Sequence, residues 1–434
     1  MKIALLSILL SSVALSAFAQ PSTDHTEALK FDQAIQQILA RSTDIATQQA
    51  QVSETVATNI TAKTAFWPNI GVQLSRYFNQ DNVLLTNTVS DSVNLNAKLN
   101  LFRFGADIKG LQAANGDEDT QNYKLLAVTL NTEELAVQGL INEIQAAFEI
   151  DVLAGIVKKE QELLKIGRER YSRGLMPEQE VDKISVDIEN ASARLADTQV
   201  RETQAKANLV ALLGNSNIVV DWPWIERFRE LNKDPKKRAA LMGTESELEK
   251  RPDVRSASKN LEAQQDRTSQ RVRQILPSLD STLTYSSYGL DSNPLSGATL
   301  DPQWTAGLVI NIPIFDQLSN YSVARVQYFE KQKADTALEL AQRTAMQDWT
   351  SAKSTFEIAL TTALSRDATA QLSRRLYNDS LKRFRIGRID ANDLALDETR
   401  FSDSELLATA GWAQLHLAYA ELCHARGLRL MECR

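Results

Sequence analysis

Apolar residues recur with helical spacing over most of this chain. The pattern predicts a helix at 30–65 and a much longer one at 106–170, and the same succession returns at 245–275 and 318–384. At 1.5 Å per residue, the longest of these helices would measure about 100 Å. Helices of globular proteins rarely exceed about 25 residues, so this length indicates a coiled coil or a barrel of helices.

Between these helices, apolar and polar residues alternate instead. The alternation predicts two pairs of strands, at about 69–78, 91–102, 278–289 and 303–314. Alternation over about ten residues is typical of a strand in an outer-membrane barrel, with its apolar side chains toward lipid. A soluble, half-buried hairpin shows the same alternation, so the pattern alone leaves both interpretations open.

Aromatic residues at both ends of the predicted strands favour the membrane interpretation, because aromatic girdles mark the two interfaces of an outer-membrane barrel. The girdle at the helix end comprises Trp67, Phe102, Phe104 and Phe315. The girdle toward the loops comprises Tyr77, Phe78, Tyr285, Tyr288 and Trp304. Four strands cannot close a barrel, and lipid does not tolerate an open sheet edge, so several copies would share one barrel.

The two halves of the chain repeat one another. Pro68 and Pro277 differ by 209 positions (277 − 68), and Gly174 and Gly387 differ by 213 (387 − 174). The offset changes only once, which indicates a tandem duplication with one loop of different length. The predicted order is a first repeat at 20–214, a Trp- and Pro-rich linker at 215–244 and a second repeat at 245–434.

Each repeat contains the same kind of turn, "RYSRGLMPEQ" at 170–179 and "RFRIGRIDAN" at 383–392. A glycine follows a basic, aromatic helix end, and acidic residues open the next helix, at 178–213 or 391–426. Glycine adopts positive φ and so caps a helix, and the charges suit the helix dipoles. Ordinary capped hairpins with solvated charges would show the same pattern.

The first 19 residues have the features of a secretory signal peptide. Lys2 precedes an apolar run at 3–15, and "AFA" at 17–19 is a cleavage site. The run is too short to span a bilayer, and no later stretch approaches about 18 consecutive apolar residues. Without Lys2 the net charge is −8 (47 − 55), which argues against general nucleic-acid binding.

Two cysteines, Cys423 and Cys433, lie near the carboxyl terminus. An exported protein could pair them in a disulfide, and two unpaired thiols are equally compatible with the sequence. With His424 they could form a soft metal site, but the spacing matches no zinc pattern. The sequence contains no phosphate loop, dinucleotide fingerprint or nucleophile elbow, so it predicts neither an enzyme nor a cofactor.

Several motifs together resemble the TolC-type outer membrane efflux protein family. They are the strand exits "LFRFG" at 101–105 and "IFD" at 314–316, the opening "RPDV" at 251–254 and the two glycine turns. The resemblance implies an α+β membrane protein, in which long helical hairpins form a periplasmic α-barrel. Four strands from each copy of a homotrimer would form a 12-strand β-barrel in the cell outer membrane, and the linker would lie at the equator.

The resemblance also implies a function and partners. The protein would be the exit duct of a tripartite efflux or type I secretion system, passively conducting substrate to the exterior. Its partners would be outer-membrane lipid, a periplasmic adaptor (membrane fusion) protein and an inner-membrane pump of the resistance-nodulation-division or ABC type. The sequence leaves open the pump class and whether the substrate is a drug, a metal or a protein.

Two sets of site residues follow from the resemblance. The periplasmic gate would comprise Phe384, Arg388, Asp390, Asp393 and Asp397. The hairpin tips, which contact the adaptor, would comprise Gly174, Leu175, Met176, Glu180, Gly387 and Ile389. Phe384 lacks the hydroxyl of the family's aromatic residue and Leu396 replaces a second carboxylate, so the gate's latching network would be rewired or weaker. In a trimer, Asp393 would form a ring of carboxylates that attracts cations.

The alternative is a soluble periplasmic coiled-coil adaptor or scaffold protein, which would also have long helices. An adaptor would carry one helical hairpin, whereas this chain has two of equal length. Two hairpins of equal length therefore favour the duct.

Overall fold

A computed structural model describes residues 28–81, 86–214, 216–290, 300–314 and 318–433. The predicted signal peptide lies outside the described residues. The first half contains α1 (Phe31–Arg41), α2 (Thr43–Thr64), β1 (Asn69–Asp81), β2 (Thr86–Phe102), α3 (Ala106–Ser172) and α4 (Glu178–Leu213). After α5 (Ile225–Lys233) and α6 (Pro235–Met242), the second half contains a 3₁₀ helix (Glu245–Lys250), α7 (Pro252–Arg273), β3 (Ser278–Leu290), β4 (Leu300–Asn311), α8 (Ser319–Arg385) and α9 (Ala391–Ala425). In each half, two short helices precede two strands, a long helix and a final helix.

The first helix of each half is interrupted, so the prediction of one continuous helix was wrong. In the first half the break lies at Ser42, whose Oγ accepts a hydrogen bond from the amide of Ile45 at 3.3 Å. This is an N-cap, and it starts a new helix. In the second half the break lies at Arg251, because Pro252 disfavours helical backbone in the residue before it.

The linker is more ordered than its composition suggests, since it folds into α5 and α6. The Asp234 side chain caps α6 by accepting from the amide of Lys236 at 2.9 Å, and Pro235 occupies the first helical position. Both features favour helix initiation.

The four strands form one antiparallel sheet in the order β1-β2-β3-β4. The contact between β2 and β3, with Leu95 opposite Tyr285, joins the two halves. Within the described ranges β1 and β4 are the edges. The structure corrects the predicted end of β4, because the strand stops at Asn311 although apolar alternation continues to Ile314. Pro313 has no N–H to donate to a sheet, which limits the ladder there.

Shorter helices lie end to end along each long helix. On α3, α2 packs against the part next to the sheet, where Asn59 Nδ2 donates to Glu118 Oε2 at 2.6 Å. Further along, α4 packs against α3, where Arg201 Nη2 donates to Glu149 Oε2 at 2.7 Å. Similarly, α7 and α9 both pack on α8. Among the described helices, none is both long enough and apolar enough to cross a membrane.

Buried apolar side chains form two clusters. The equatorial core surrounds Phe228, Phe356 and Tyr419, where α5, α8 and α9 meet. The tip core surrounds Tyr377 and Phe384, near the turns. Burying a large apolar side chain stabilises a fold by about 1.5–3 kcal/mol, so each cluster can hold one region of a long, thin molecule together.

Cys423 and Cys433 form a disulfide, which settles the alternative that the sequence left open. Both sulfur atoms are therefore bonded to each other rather than available to a metal. The Cys433 carbonyl accepts hydrogen bonds from Arg227 Nη2 at 2.8 Å and from the Tyr419 hydroxyl at 3.4 Å. The bond thus fastens the end of the chain to the equatorial core.

Candidate functional site: the two hairpin tips

The two turns have the same backbone geometry. Gly174 has φ 70° and Gly387 has φ 75°, a region that a β-carbon disfavours. At the first tip the amide of Leu175 donates to the carbonyl of Arg170 at 2.9 Å, and at the second Arg388 donates to Arg383 at 2.9 Å. This 6→1 bond, with φ positive at the glycine, is a Schellman motif. The glycines therefore end α3 and α8, as the sequence predicts.

The helices that leave the tips start differently. Pro177 precedes α4 and makes no side-chain cap, whereas Asp390 caps α9 by accepting from the amide of Asp393 at 2.8 Å. Glu178 and Glu180 on α4 and Asp393 on α9 place negative charge in the first turn, where the helix dipole favours it. The second tip is therefore both more acidic at its cap and more tightly capped.

Arg170 joins the two tips. Its Nη2 atom, on α3, donates to the carbonyls of Phe384 at 2.7 Å and of Arg385 at 3.1 Å, at the end of α8. The guanidinium also lies 4.8 Å from the centroid of the Phe384 ring. A cation is favourable at the carboxyl end of a helix, where carbonyls lack partners. We call these contacts the Arg170 latch.

Sequence reasoning missed this latch. Arg170 is a basic residue in the last turn of α3, where it suits the dipole of its own helix, and the sequence does not indicate a partner on α8. Two further contacts between α4 and α9 accompany the latch: Lys183 Nζ donates to Asn392 Oδ1 at 2.8 Å, and Arg194 pairs with Asp403 at 3.3 Å. Three basic residues of the first hairpin, Arg170, Lys183 and Arg194, thus contact the second hairpin at successive positions along its length.

The predicted gate residues occupy three different environments. Phe384 is fully buried in the tip core. Arg388, Asp390 and Asp393 are exposed at the end of the molecule. Asp397 lies between these extremes, since its carboxylate accepts from the Ser380 hydroxyl at 2.6 Å and pairs with Arg400 at 3.3 Å. Of these residues, Asp390 and Asp393 present exposed carboxylates at the tip.

The predicted adaptor-contact residues also differ in their exposure to solvent. Leu175 is 73% exposed, so it presents an apolar side chain to solvent. Met176 is only 7% exposed and belongs to the tip core, and Ile389 at the equivalent position packs against the same core. On the second tip the exposed apolar residue is Ile386, at 65%, which is not among the predicted contact residues. Leu175 and Ile386 are therefore the apolar surface of the tips.

At the other end of the molecule, the helix-end girdle has exposed side chains at Trp67, Phe102 and Phe104. Toward the loops, Trp304 is exposed and its ring centroid lies 4.7 Å from that of Tyr285. Phe102 pairs with Leu279 on β3, and Tyr285 lies six positions further along the same strand. The two aromatic groups are therefore roughly 20 Å apart along the strand. The side chains of Tyr77, Phe78 and Tyr288, and the whole of Phe315, lie outside the described part of the structure.

The apolar face between these aromatic groups is open to the surroundings. Its exposed side chains are Ile70, Val72 and Leu74 on β1, Val93 and Leu101 on β2, and Leu308 and Ile310 on β4. A sheet with such a face, attached to helices of 67 residues each, defines a class of proteins that combine long helical hairpins with a small antiparallel sheet.

Comparison with known proteins finds several that resemble this chain. Residues 34–215 match the outer membrane efflux protein family, so the predicted resemblance to the TolC-type proteins is confirmed. The cell outer membrane, predicted as the location of this chain, is the location for which this family is named. No curated protein sequence matches the chain significantly.

Solved structures share the fold over most of the chain. The CmeC outer membrane channel of Campylobacter jejuni aligns with a TM-score of 0.77 at 15% identity, covering 92% of this chain and 85% of that one. The outer membrane protein VceC of Vibrio cholerae aligns with 0.77 at 13% identity, covering 92% and 96%. The MtrE outer membrane channel of Neisseria gonorrhoeae, in its open state, aligns with 0.75 at 19% identity, covering 92% and 89%.

Proposed function

We propose that three copies of this chain form an exit duct in the outer membrane, which passively conducts substrate received from an inner-membrane pump through a periplasmic adaptor. The observation that carries the proposal is the four-stranded sheet with two edges and an exposed apolar face, fused to helices of 67 residues. At 1.5 Å per residue, each of these helices is about 100 Å long, which suits a tunnel.

The exposed apolar face and the two edges of the sheet support this proposal on physical grounds. An exposed apolar face costs free energy in water and is favourable in hydrocarbon. Lipid cannot hydrogen-bond the free N–H and C=O groups of a sheet edge, so the edges must pair with other strands. Pairing β1 of one copy with β4 of the next closes a barrel, and three copies supply 12 strands.

Cysteine crosslinking tests this arrangement directly. The chain has only two cysteines and they are bonded to each other, so engineered cysteines are the only free thiols. Leu74→Cys on β1 is combined in turn with Ala306→Cys, Leu308→Cys or Ile310→Cys on β4, and outer-membrane fractions are oxidised. At least one pair should give dimer and trimer bands in denaturing gels, with nothing larger.

The matched control combines Leu74→Cys with Leu283→Cys on β3. Residue 283 lies on an interior strand whose two neighbours are both present, so it should form no bond between copies. If no β1–β4 pair crosslinks, or if the β3 control crosslinks equally well, the shared barrel is wrong. If the protein is instead recovered in the soluble periplasmic fraction, the adaptor or scaffold alternative replaces the duct.

We further propose that the second tip provides the gate and the first tip the apolar adaptor contact. The exposed carboxylates of Asp390 and Asp393 would repeat around the axis of a trimer and attract cations at the entrance. Leu175 offers exposed apolar area of the kind that a partner helix buries. The Arg170 latch would hold the two hairpins together while the gate is closed.

Leu175→Asp tests the adaptor contact. It should weaken co-purification of the chain with its adaptor while leaving trimer formation intact, because residue 175 points away from the tip core. Met176→Leu serves as the control, since a buried apolar exchange should leave adaptor binding unchanged. Equal binding by Leu175→Asp and the unmodified chain would remove Leu175 from the contact.

A further inference from the structure

A cavity of about 510 Å³ lies at the edge of the tip core, between α3, α4 and α9, and shares Leu153 and Ile156 with that core. Four carboxyl groups from three different helices line it: Glu160 on α3, Asp187 and Asp197 on α4, and Glu398 on α9. Leu153 and Ile156, both buried, line it as well and supply apolar surface. The cavity therefore has an acidic side and an apolar side, and we call it the acidic cavity.

Glu160 is buried without a partner for one of its oxygens. Its residue exposure is 6%, and Oε2 has no hydrogen-bond partner among the described residues. Glu398, at 7% exposure, accepts one hydrogen bond, from the Tyr377 hydroxyl at 3.4 Å. A buried acceptor that lacks a donor costs free energy, so a bound donor would relieve a deficit that the fold itself leaves.

The same surroundings perturb the acids. Burial, together with repulsion from Glu398 and Asp187, raises the pKa of Glu160 to about 8. Burial also raises the pKa of Glu398 to about 7, although the Tyr377 hydrogen bond opposes it, and burial raises the pKa of Asp187. Near neutral pH Glu160 and part of the Glu398 population therefore hold a proton that a bound cation can replace.

The cations of the surrounding helices make their closest contacts with other groups, although the charge of Lys159 also acts on Glu398 and that of Lys183 on Asp187. The Lys159 ammonium lies over the rings of Tyr377 and Phe401, 5.0 Å and 5.1 Å from their centroids. Two other charged residues lie on the cavity wall: Asp197, and Arg194, which pairs with Asp403. Nearby, Lys183 donates to Asn392, and the charge of Arg385 acts on Tyr377. Among the described residues, no cation forms an ion pair with Glu160.

We propose that the acidic cavity binds an organic ammonium ion, with the ammonium against Glu160, Asp187 and Glu398 and the apolar body against Leu153 and Ile156. A cavity of this size lies within the range of small-molecule sites, which is about 300–1,000 Å³. A metal ion fits less well, since the described residues contain no group of three or more His, Cys, Asp or Glu side chains arranged to hold one. The apolar wall also has no use for a metal.

Hexylammonium is the probe, and hexanol of the same length is its neutral counterpart. Isothermal titration of the full-length protein in detergent should show saturable binding of hexylammonium and at least about tenfold weaker binding of hexanol. At pH 9, Glu160→Gln and Glu398→Gln should each weaken hexylammonium binding at least about tenfold, because each removes a carboxylate that is ionised at that pH. Glu162→Gln is the matched control: residue 162 lies on the same helix but is exposed, so binding should be unchanged.

The pH dependence distinguishes this site from a surface charge. Because the Glu160 and Glu398 pKa values are about 8 and 7, both are largely protonated at pH 6 and ionised at pH 9. An alkylammonium stays charged across that range, as lysine does. Affinity should therefore rise at least about tenfold from pH 6 to pH 9, with protons released on binding at pH 7.

Three outcomes would overturn the proposal. They are the absence of saturable binding, equal loss in Glu162→Gln and Glu160→Gln, and binding of Mg²⁺ in place of hexylammonium with the same dependence on Glu160. Thermal melts and native gels check that each variant has the fold and the oligomeric state of the unmodified protein. The inference stands apart from the duct function, because binding is measured on the purified chain and fails or succeeds independently of conduction.

Discussion

Replacing Arg170 with alanine should loosen the contact between the two hairpin tips without unfolding either hairpin. The side chain leaves α3 and reaches the carbonyls that end α8, so its removal deprives Phe384 O and Arg385 O of their shared donor. The tip core beneath remains, because Phe384 is also held by apolar packing. The expected change is therefore local.

The magnitude follows from three contacts. Hydrogen bonds from a charged donor contribute about 1.5–3 kcal/mol each when buried, and a cation–π contact at a surface adds about 0.5–1 kcal/mol. The latch is half-exposed and its two hydrogen bonds share one nitrogen, so we take about 2 kcal/mol for the whole. At about 1.4 kcal/mol per factor of ten, the tip should open roughly 30-fold more often.

Native-state hydrogen exchange followed by mass spectrometry measures that opening. The amides of Gly387 and Arg388 are bonded to Phe384 O and Arg383 O in the closed tip, so a peptide spanning 383–390 reports on it. In Arg170→Ala this peptide should exchange roughly 30-fold faster, while peptides from the equatorial core should be unchanged. The difference arises because local openings draw on local stability.

Arg168→Ala is the matched control, since Arg168 lies on the same helix two residues earlier and is exposed. Its tip peptide should exchange like that of the unmodified chain. Arg170→Lys should give an intermediate rate, because lysine keeps the charge but loses the planar fork. Unchanged exchange in Arg170→Ala, or equal acceleration in Arg168→Ala, would refute the latch.

Further measurements test other parts of the chain. Asp393→Asn should weaken block of single-channel current by multivalent cations in planar bilayers, and unchanged block would exclude Asp393 from the entrance. Cys423→Ser with Cys433→Ser opens a loop of 10 residues and should lower stability by about 2–3 kcal/mol in thermal melts; no change would mean that the equatorial core holds the terminus alone. Burial lowers the pKa of His424, but hydrogen bonds and charge from nearby carboxylates outweigh burial, so the pKa is raised. The protonated His424 therefore stabilises the fold fully below about pH 6.5, and this contribution disappears as the pH rises through the raised pKa. The melting temperature of His424→Gln should therefore fall less than that of the unmodified chain from pH 6 to pH 9, and parallel curves would contradict this.

Sequence periodicity predicted the elements well where burial decides them. The long helices and the start of β1 agree with the structure within two residues, because apolar spacing records which face is covered. The loop ends of β1 and β2 extend beyond the predicted 78 and 91, to Asp81 and Thr86. There the pairing, such as Asn79 opposite Thr88, depends on backbone hydrogen bonds, which leave no apolar pattern.

Local capping chemistry was present in the sequence but was outweighed by periodicity. Ser42 and the Arg251–Pro252 pair both signal a helix start, and both lie inside helices predicted as continuous. The tip glycines were predicted for the correct physical reason, positive φ. The Arg170 latch was out of reach, because its partner is 214 residues away and only tertiary packing brings the two together.

The two long helices differ in glycine content, and this difference has a mechanical consequence. α3 contains five glycines, at 110, 116, 139, 155 and 167, whereas α8 contains neither glycine nor proline. Roughly 24 residues, or about 36 Å, separate Leu360 in the equatorial core from Phe384 at the tip. If α8 tilts by about 5° around the equatorial core, its end at Phe384 moves by about 3 Å. Because α8 ends at the second tip, a small rotation at the equatorial core would produce a larger displacement of Asp390 and Asp393.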